Sequence, residues 1–272
     1  MIATLLFSIA GGMLAILASA RVEQISWKFL RLVGFLVLAI AVGCTLWSFR
    51  MAKSPLDEGV KSIMGLGVLL GTGAILVVLA SPCAVRWSRS FRLICGLFGA
   101  AGIAAASVSA VTTLREGMGS RSFAGIEIPL LILGQFLSAL MLGSVTVAWL
   151  LGHAYLTATK MTIAPLRHFS RMLSWAVTAR IFFMFLSLII AWQIQGEGSA
   201  PILQRLAQSW LIVVLRVGVG LLAVAVFAYM VADCVRLRST QSATGILYFG
   251  SVMAYVGELA GQQLIYELGW PV

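Results

Sequence analysis

Three charged residues stand inside segments that are otherwise apolar: Arg180, Arg216 and Glu258. A charge at bilayer depth costs about 2.5–3.5 kcal/mol on insertion scales, so such a residue faces the bundle interior and finds a partner. Guanidinium and carboxylate groups held there suit three tasks. They can lock helices together, hold a quinone or anionic group, or relay protons. Glu258 also belongs to a pattern. Tyr248, Ser251, Tyr255, Glu258, Gln262 and Tyr266 step by 3, 4, 3, 4 and 4 residues. At 3.6 residues per turn they form one polar stripe along a helix, whereas Gln263 falls beside it. The stripe suits a cavity for a polar head group, or hydrogen-bonded glue between helices.

The elements that must position these residues follow from composition. The chain has 272 residues, 61% hydrophobic and 10% charged, with mean hydropathy +1.03. A soluble domain carries about 25% charged residues. Eight apolar segments are about 20 residues long, at 2–20, 29–49, 60–81, 92–114, 128–152, 172–193, 208–232 and 244–266. Each is long enough for a transmembrane helix and too uniformly apolar for a barrel strand. The expected fold is an all-α integral membrane protein with eight transmembrane helices. Ala18-Ser19-Ala20 resembles a signal-peptidase site, but Met1-Ile2 supplies no basic leader. The first segment therefore reads as a retained helix.

Basic residues set the orientation. Connections after the first, third, fifth and seventh segments hold 11 Lys or Arg, against 6 on the other side. The rule that positive loops stay in the cytoplasm then places both termini outward. The net charge of +10 reads as topology signal and anionic-lipid contact, not as a nucleic-acid surface. The expected location is a bacterial-type inner membrane. At a rise of about 1.5 Å per residue, Glu258 and Arg216 each lie about 12 Å from the outer helix ends, and Gln135 about 10 Å. These depths predict an Arg216–Glu258 ion pair with Gln135 beside it. Arg180, on the inner half, has Asp233 as its candidate partner, or else a lipid phosphate or quinone carbonyl.

His153 and His168 flank the longest connection, "GHAYLTATKMTIAPLRHFSRM". Their positions do not suit two axial haem ligands at membrane depth. His153 is a candidate proton relay or quinone partner, since imidazole titrates near neutrality. Lys160, Arg167, His168 and Arg171 form a basic interfacial turn or short amphipathic segment that suits lipid or partner-subunit docking. Cys44, Cys83, Cys95 and Cys234 show no metal-binding spacing.

A gapless offset of 151 residues aligns "CAVRWSRSFRLICGLFG" (83–99) with "CVRLRSTQSATGILYFG" (234–250). A second, weaker match, at an offset of 140, pairs "FLRLVGFLV" (29–37) with "FSRMLSWAV" (169–177). The matches suggest two parallel-repeated four-helix bundles, halves 1–117 and 128–272, within one membrane domain.

Two functions fit. The first is an integral membrane subunit of a multi-subunit respiratory or redox complex, with a quinone pocket or proton path. Its partners are other membrane and redox subunits and lipids, and a quinone is the candidate cofactor. The second is a secondary transporter for a small solute, proton-coupled through Arg216 and Glu258. An intramembrane enzyme trails both, because no HExxH, GxSxG or paired-Asp motif is present.

Overall fold

The computed structural model describes residues 1–51, 58–118, 125–157, 162–195, 202–268 and 270–271. Among them there is no strand, and eight helical spans are long and apolar enough to cross a membrane. That is the makeup of a multi-pass membrane protein. The first six spans are α1 (Ile2–Ser19), α2 (Trp27–Met51), α3 (Glu58–Ala80), α4 (Ser88–Met118), α5 (Glu127–Thr157) and α6 (Ala164–Gln195). A short helix, α7 (Ile202–Gln208), leads into the seventh span, Trp210–Arg236. That span is composite: α8 (Trp210–Val214), a nine-residue π segment (Leu215–Ala223) and α9 (Val224–Arg236). The eighth is α10 (Thr240–Leu268).

Boundaries follow recognisable caps. Pro129 and Pro165 stand in the first turns of α5 and α6, where a missing N–H costs nothing and φ is already helical. α6 therefore starts at Ala164 and absorbs "APLRHFSR" into its opening turns. The long surface connection expected between the fifth and sixth segments is correspondingly shorter. Lys160 lies outside the described residues.

α9 ends in a Schellman turn. The Ser239 amide donates to the Cys234 carbonyl at 2.9 Å, and the Arg238 amide donates to Val235 at 3.2 Å. Arg238 takes the left-handed position with φ of 58°. The sharp reversal makes the seventh span and α10 an antiparallel hairpin. Arg216 precedes Arg238 by 22 residues and Glu258 follows it by 20, so the two reach the same height.

α1 and α5 occupy the centre. α1 packs on α4, α5 and α2, and α5 packs on α1, α6 and α10. Phe7, Met13, Leu14, Met141, Leu142 and Val145 are buried there. The α1–α5 crossing is close enough to need bare backbone. A Cβ on Gly12 would lie 1.9 Å from the Ala139 carbonyl oxygen, and one on Gly143 would lie 2.2 Å from Gly12. Small residues of this kind let helices approach where no aqueous hydrophobic effect drives them together. The outer faces are apolar: Leu46, Leu79, Leu97, Phe182, Trp192 and Tyr229 are each more than 60% exposed. Continuous exposed apolar surface of this extent fits contact with lipid rather than water.

A methyl at the α1–α5 crossing should be far more damaging than one at an open glycine. Gly12→Ala is expected to lower stability by about 1–3 kcal/mol, the usual cost of forced overpacking. Gly43→Ala, with nothing near its Cβ, should stay within about 0.5 kcal/mol. Melting curves in detergent micelles would measure both.

Candidate functional site

The three buried charges converge on one point. The Arg216 Nη1 donates to Glu258 Oε1 at 2.6 Å, and also to the Gly257 carbonyl at 3.2 Å. Arg180 Nε donates to the same Oε1 at 3.3 Å, and its Nη2 to Oε2 at 3.5 Å. Ser138 on α5 donates its hydroxyl to Oε2. Arg180 is 1% exposed, and Arg216 and Glu258 are 0% exposed. One carboxylate thus lies between two guanidiniums, with a formal excess of one positive charge.

The Arg180 contact corrects the Asp233 partnership expected from sequence. Asp233 pairs with Arg236 at 2.9 Å, at the exposed end of α9. The physical reason is the early start of α6. Because the helix begins at Ala164 and not near 172, Arg180 sits at mid-length and faces α10. Phe183, one turn on, holds its ring 5.3 Å from the guanidinium carbon. That contact adds a cation–π attraction to the pair.

Arg216 is placed by local backbone. It sits in the π segment, and π geometry inside α-helices recurs at functional sites. Just beyond it, the segment presses on α10 without side chains between. A Cβ on Gly220 would lie 2.4 Å from the Gly257 Cα. Gly261 leaves the space the guanidinium fills: its own Cβ would fall 2.9 Å from Arg216 Cζ. Nε and Nη2 of Arg216 have no hydrogen-bond partner among the described residues, and neither does Gln262 Oε1. Buried donors and acceptors left unmade cost about 1–3 kcal/mol each, more for charged groups.

Gln262 donates through Nε2 to Gln135 Oε1 at 3.3 Å, and both are buried. Nearer the α10 start, Tyr255 OH meets Thr146 Oγ1 at 2.9 Å and accepts from Trp149 Nε1 at 3.3 Å. The Trp149 ring lies 4.9 Å from Tyr248, and His153 stands edge-on to Tyr248 at 6.4 Å. His153 is exposed, away from the charge cluster. Tyr266 is 41% exposed and leaves the stripe at its far end.

These contacts expose a second stripe that the sequence reading missed. Gln135, Ser138, Thr146, Trp149 and His153 share one face of α5, with Leu142 filling the gap. α5 and α10 run antiparallel, so the stripes pair rung by rung: 135 with 262, 138 with 258, 146 and 149 with 255, then 149 and 153 with 248. The helical spacing was readable. It was hidden because Ser, Thr and Trp are unremarked in an apolar segment.

The basic docking residues gather elsewhere. Arg167 and Arg171 are exposed in the opening turns of α6, and His168 Nε2 lies 3.0 Å from Ser19 Oγ. Among the described residues, no group of three or more His, Cys, Asp or Glu is arranged to hold a metal ion.

Removing only the carboxylate would leave two cations facing each other. Glu258→Gln should therefore cost about 3–5 kcal/mol, the cost of breaking a buried pair. Ser138→Ala, which removes one donor to that carboxylate, should cost about 1.5–3 kcal/mol. Replacing Arg180, Arg216 and Glu258 together by Met should recover most of the loss, because no uncompensated charge remains. Melting temperatures of the three variants order these costs.

Compared with protein-family models, with curated proteins and with solved structures, the chain matches none.

Proposed function

We propose that this chain is an integral membrane subunit of a multi-subunit redox complex, and that the α5–α10 seam is where it meets a quinone. The observation that carries the reading is the unbalanced cluster: two guanidiniums on one carboxylate, with Arg216 Nε and Nη2 without a hydrogen-bond partner among the described residues. Excess positive charge and spare N–H donors in a low-dielectric interior suit an electron-rich oxygen. A quinone carbonyl gains negative charge as it is reduced, so such donors bind the reduced form more strongly than the oxidised one. Gln262 and Gln135 add amide groups beside the cluster. The metal or haem centres that exchange electrons with the quinone would belong to partner subunits.

The same reading places the chain in a bacterial-type inner membrane with both termini outward. It also keeps the two four-helix halves. Neighbour relations recur between them: α1 on α4 as α5 on α10, and α2 on α3 as α6 on α9. A transporter remains the second reading. It draws on the nine-residue π segment and the side-chain-free Gly220–Gly257 contact, an irregular stretch of the kind that can change shape.

Company separates the two. Purified gently from native membranes, the chain should bring cytochrome or iron–sulfur subunits with it, and Arg216→Gln should lower quinol-dependent electron transfer at least about tenfold, equivalent to ~1.4 kcal/mol. A chain that purifies alone and moves a solute in liposomes sinks the redox reading. Orientation has its own check. Cys83 is exposed between α3 and α4. A membrane-impermeant maleimide should label it in inverted vesicles and not in right-side-out ones.

A further inference from the structure

At the end of the bundle where α1 stops and α6 starts, three elements enclose a pocket of about 440 Å³. Ser19 and Ala20 come from the end of α1, Arg21 and Gln24 from the connection to α2, and Arg167, His168 and Arg171 from α6. The Ser19–His168 hydrogen bond ties the first wall to the third, and buried Ala20 and Ile25 lie beneath.

The charge here is one-sided. Among the described residues, three arginines line the pocket and no carboxylate does. Glu23, the acid of the same connection, is not part of the lining: its carboxylate is held below the usual carboxylate range first by its own backbone N–H and the Ser88 hydroxyl, and further by the charges of Arg92 and Arg21. Arg167 and Arg171 stand one turn apart, a spacing at which like charges repel. An anion between them removes that repulsion. The level in the fold is also informative. Trp27, 43% exposed, lies beside this pocket's connection with Arg31 4.9 Å from its ring centroid. Aromatic and basic residues together mark the depth of lipid head groups.

We propose that this pocket binds a phosphate-bearing anion, and that its usual occupant is the phosphate of an anionic phospholipid. Guanidinium forks match phosphate oxygens bidentately, and Gln24 and Ser19 can serve a glycerol or similar polar head group. The site is separate from the buried cluster and stands whether or not the chain handles quinone.

Native mass spectrometry tests it with the whole chain in neutral detergent, offered phosphatidylglycerol and phosphatidylcholine at equal concentration. Phosphatidylglycerol should be retained preferentially. Each arginine removed should lower that preference about fivefold, so Arg167→Gln with Arg171→Gln abolishes it. Arg86→Gln with Arg89→Gln, in the turn before α4 and its first turn, should leave it unchanged. Arg21→Gln, on the connection and outside any span, gives the single fall of about fivefold if the α6 pair fails to fold. A parallel melting series with inorganic phosphate identifies the source. Phosphate that stabilises the wild-type chain, but not the Arg167/Arg171 variant, without any lipid preference would assign the site to a soluble phosphate. Equal retention of both lipids together with no phosphate effect would overturn the proposal. So would a preference that survives loss of the pocket arginines or falls equally with Arg86 and Arg89.

Discussion

Everything near the middle of this bundle answers to one constraint: a single carboxylate, Glu258, lies between two guanidiniums with no water-accessible surface. Taking ions out of water costs several kcal/mol each, and only close pairing offsets it. The surrounding architecture reads as the means of supplying that pairing. The Schellman turn sets Arg216 and Glu258 at one height. Gly257, Gly220 and Gly261 let backbone and guanidinium approach where a methyl would intrude. Ser138 comes from the central helix, and Arg180 from the mid-length of α6. Four spans therefore meet at one carboxylate.

A lock would be better balanced. Two cations against one anion leave an excess charge, and Arg216 keeps two N–H donors without partners among the described residues. Buried polar networks that are only partly satisfied are costly, and proteins that keep them generally use them. The quinone oxygen proposed above would supply what the cluster lacks, an acceptor whose negative charge grows during reaction. The two ends of the chain's chemistry are also spatially sorted. The excess positive charge at mid-length faces inward, whereas the arginines at the α1–α6 end face a pocket open to its surroundings.

Much of this was legible in the sequence, for physical reasons. Bilayer thickness fixes span length, so eight apolar runs become eight helices long and apolar enough to span. Helical rise fixes depth, which sets Arg216, Glu258 and Gln135 at one level from their positions in the chain alone. Three things were less legible. Apolar runs mark where lipid contact ends, not where a helix ends, so the polar opening turns of α6 were read as a connection and Arg180 was placed too near one end. The α5 stripe of Gln135, Ser138, Thr146 and Trp149 is weakly polar and interrupted by Leu142, so it carries little contrast against an apolar background. The π segment around Arg216 has no sequence signature beyond Gly218 and Gly220.

The central claim is that the unsatisfied guanidinium of Arg216 receives an electron-rich oxygen. It is tested most directly by titrating the purified chain, folded in detergent, with a short-chain quinone and following its melting temperature. Saturable stabilisation is expected in the wild type, with affinity about tenfold weaker in Arg216→Lys, which keeps the charge but loses the planar fork of donors. No saturable stabilisation, or the same affinity in Arg216→Lys, would show that the cluster only fastens the helices together.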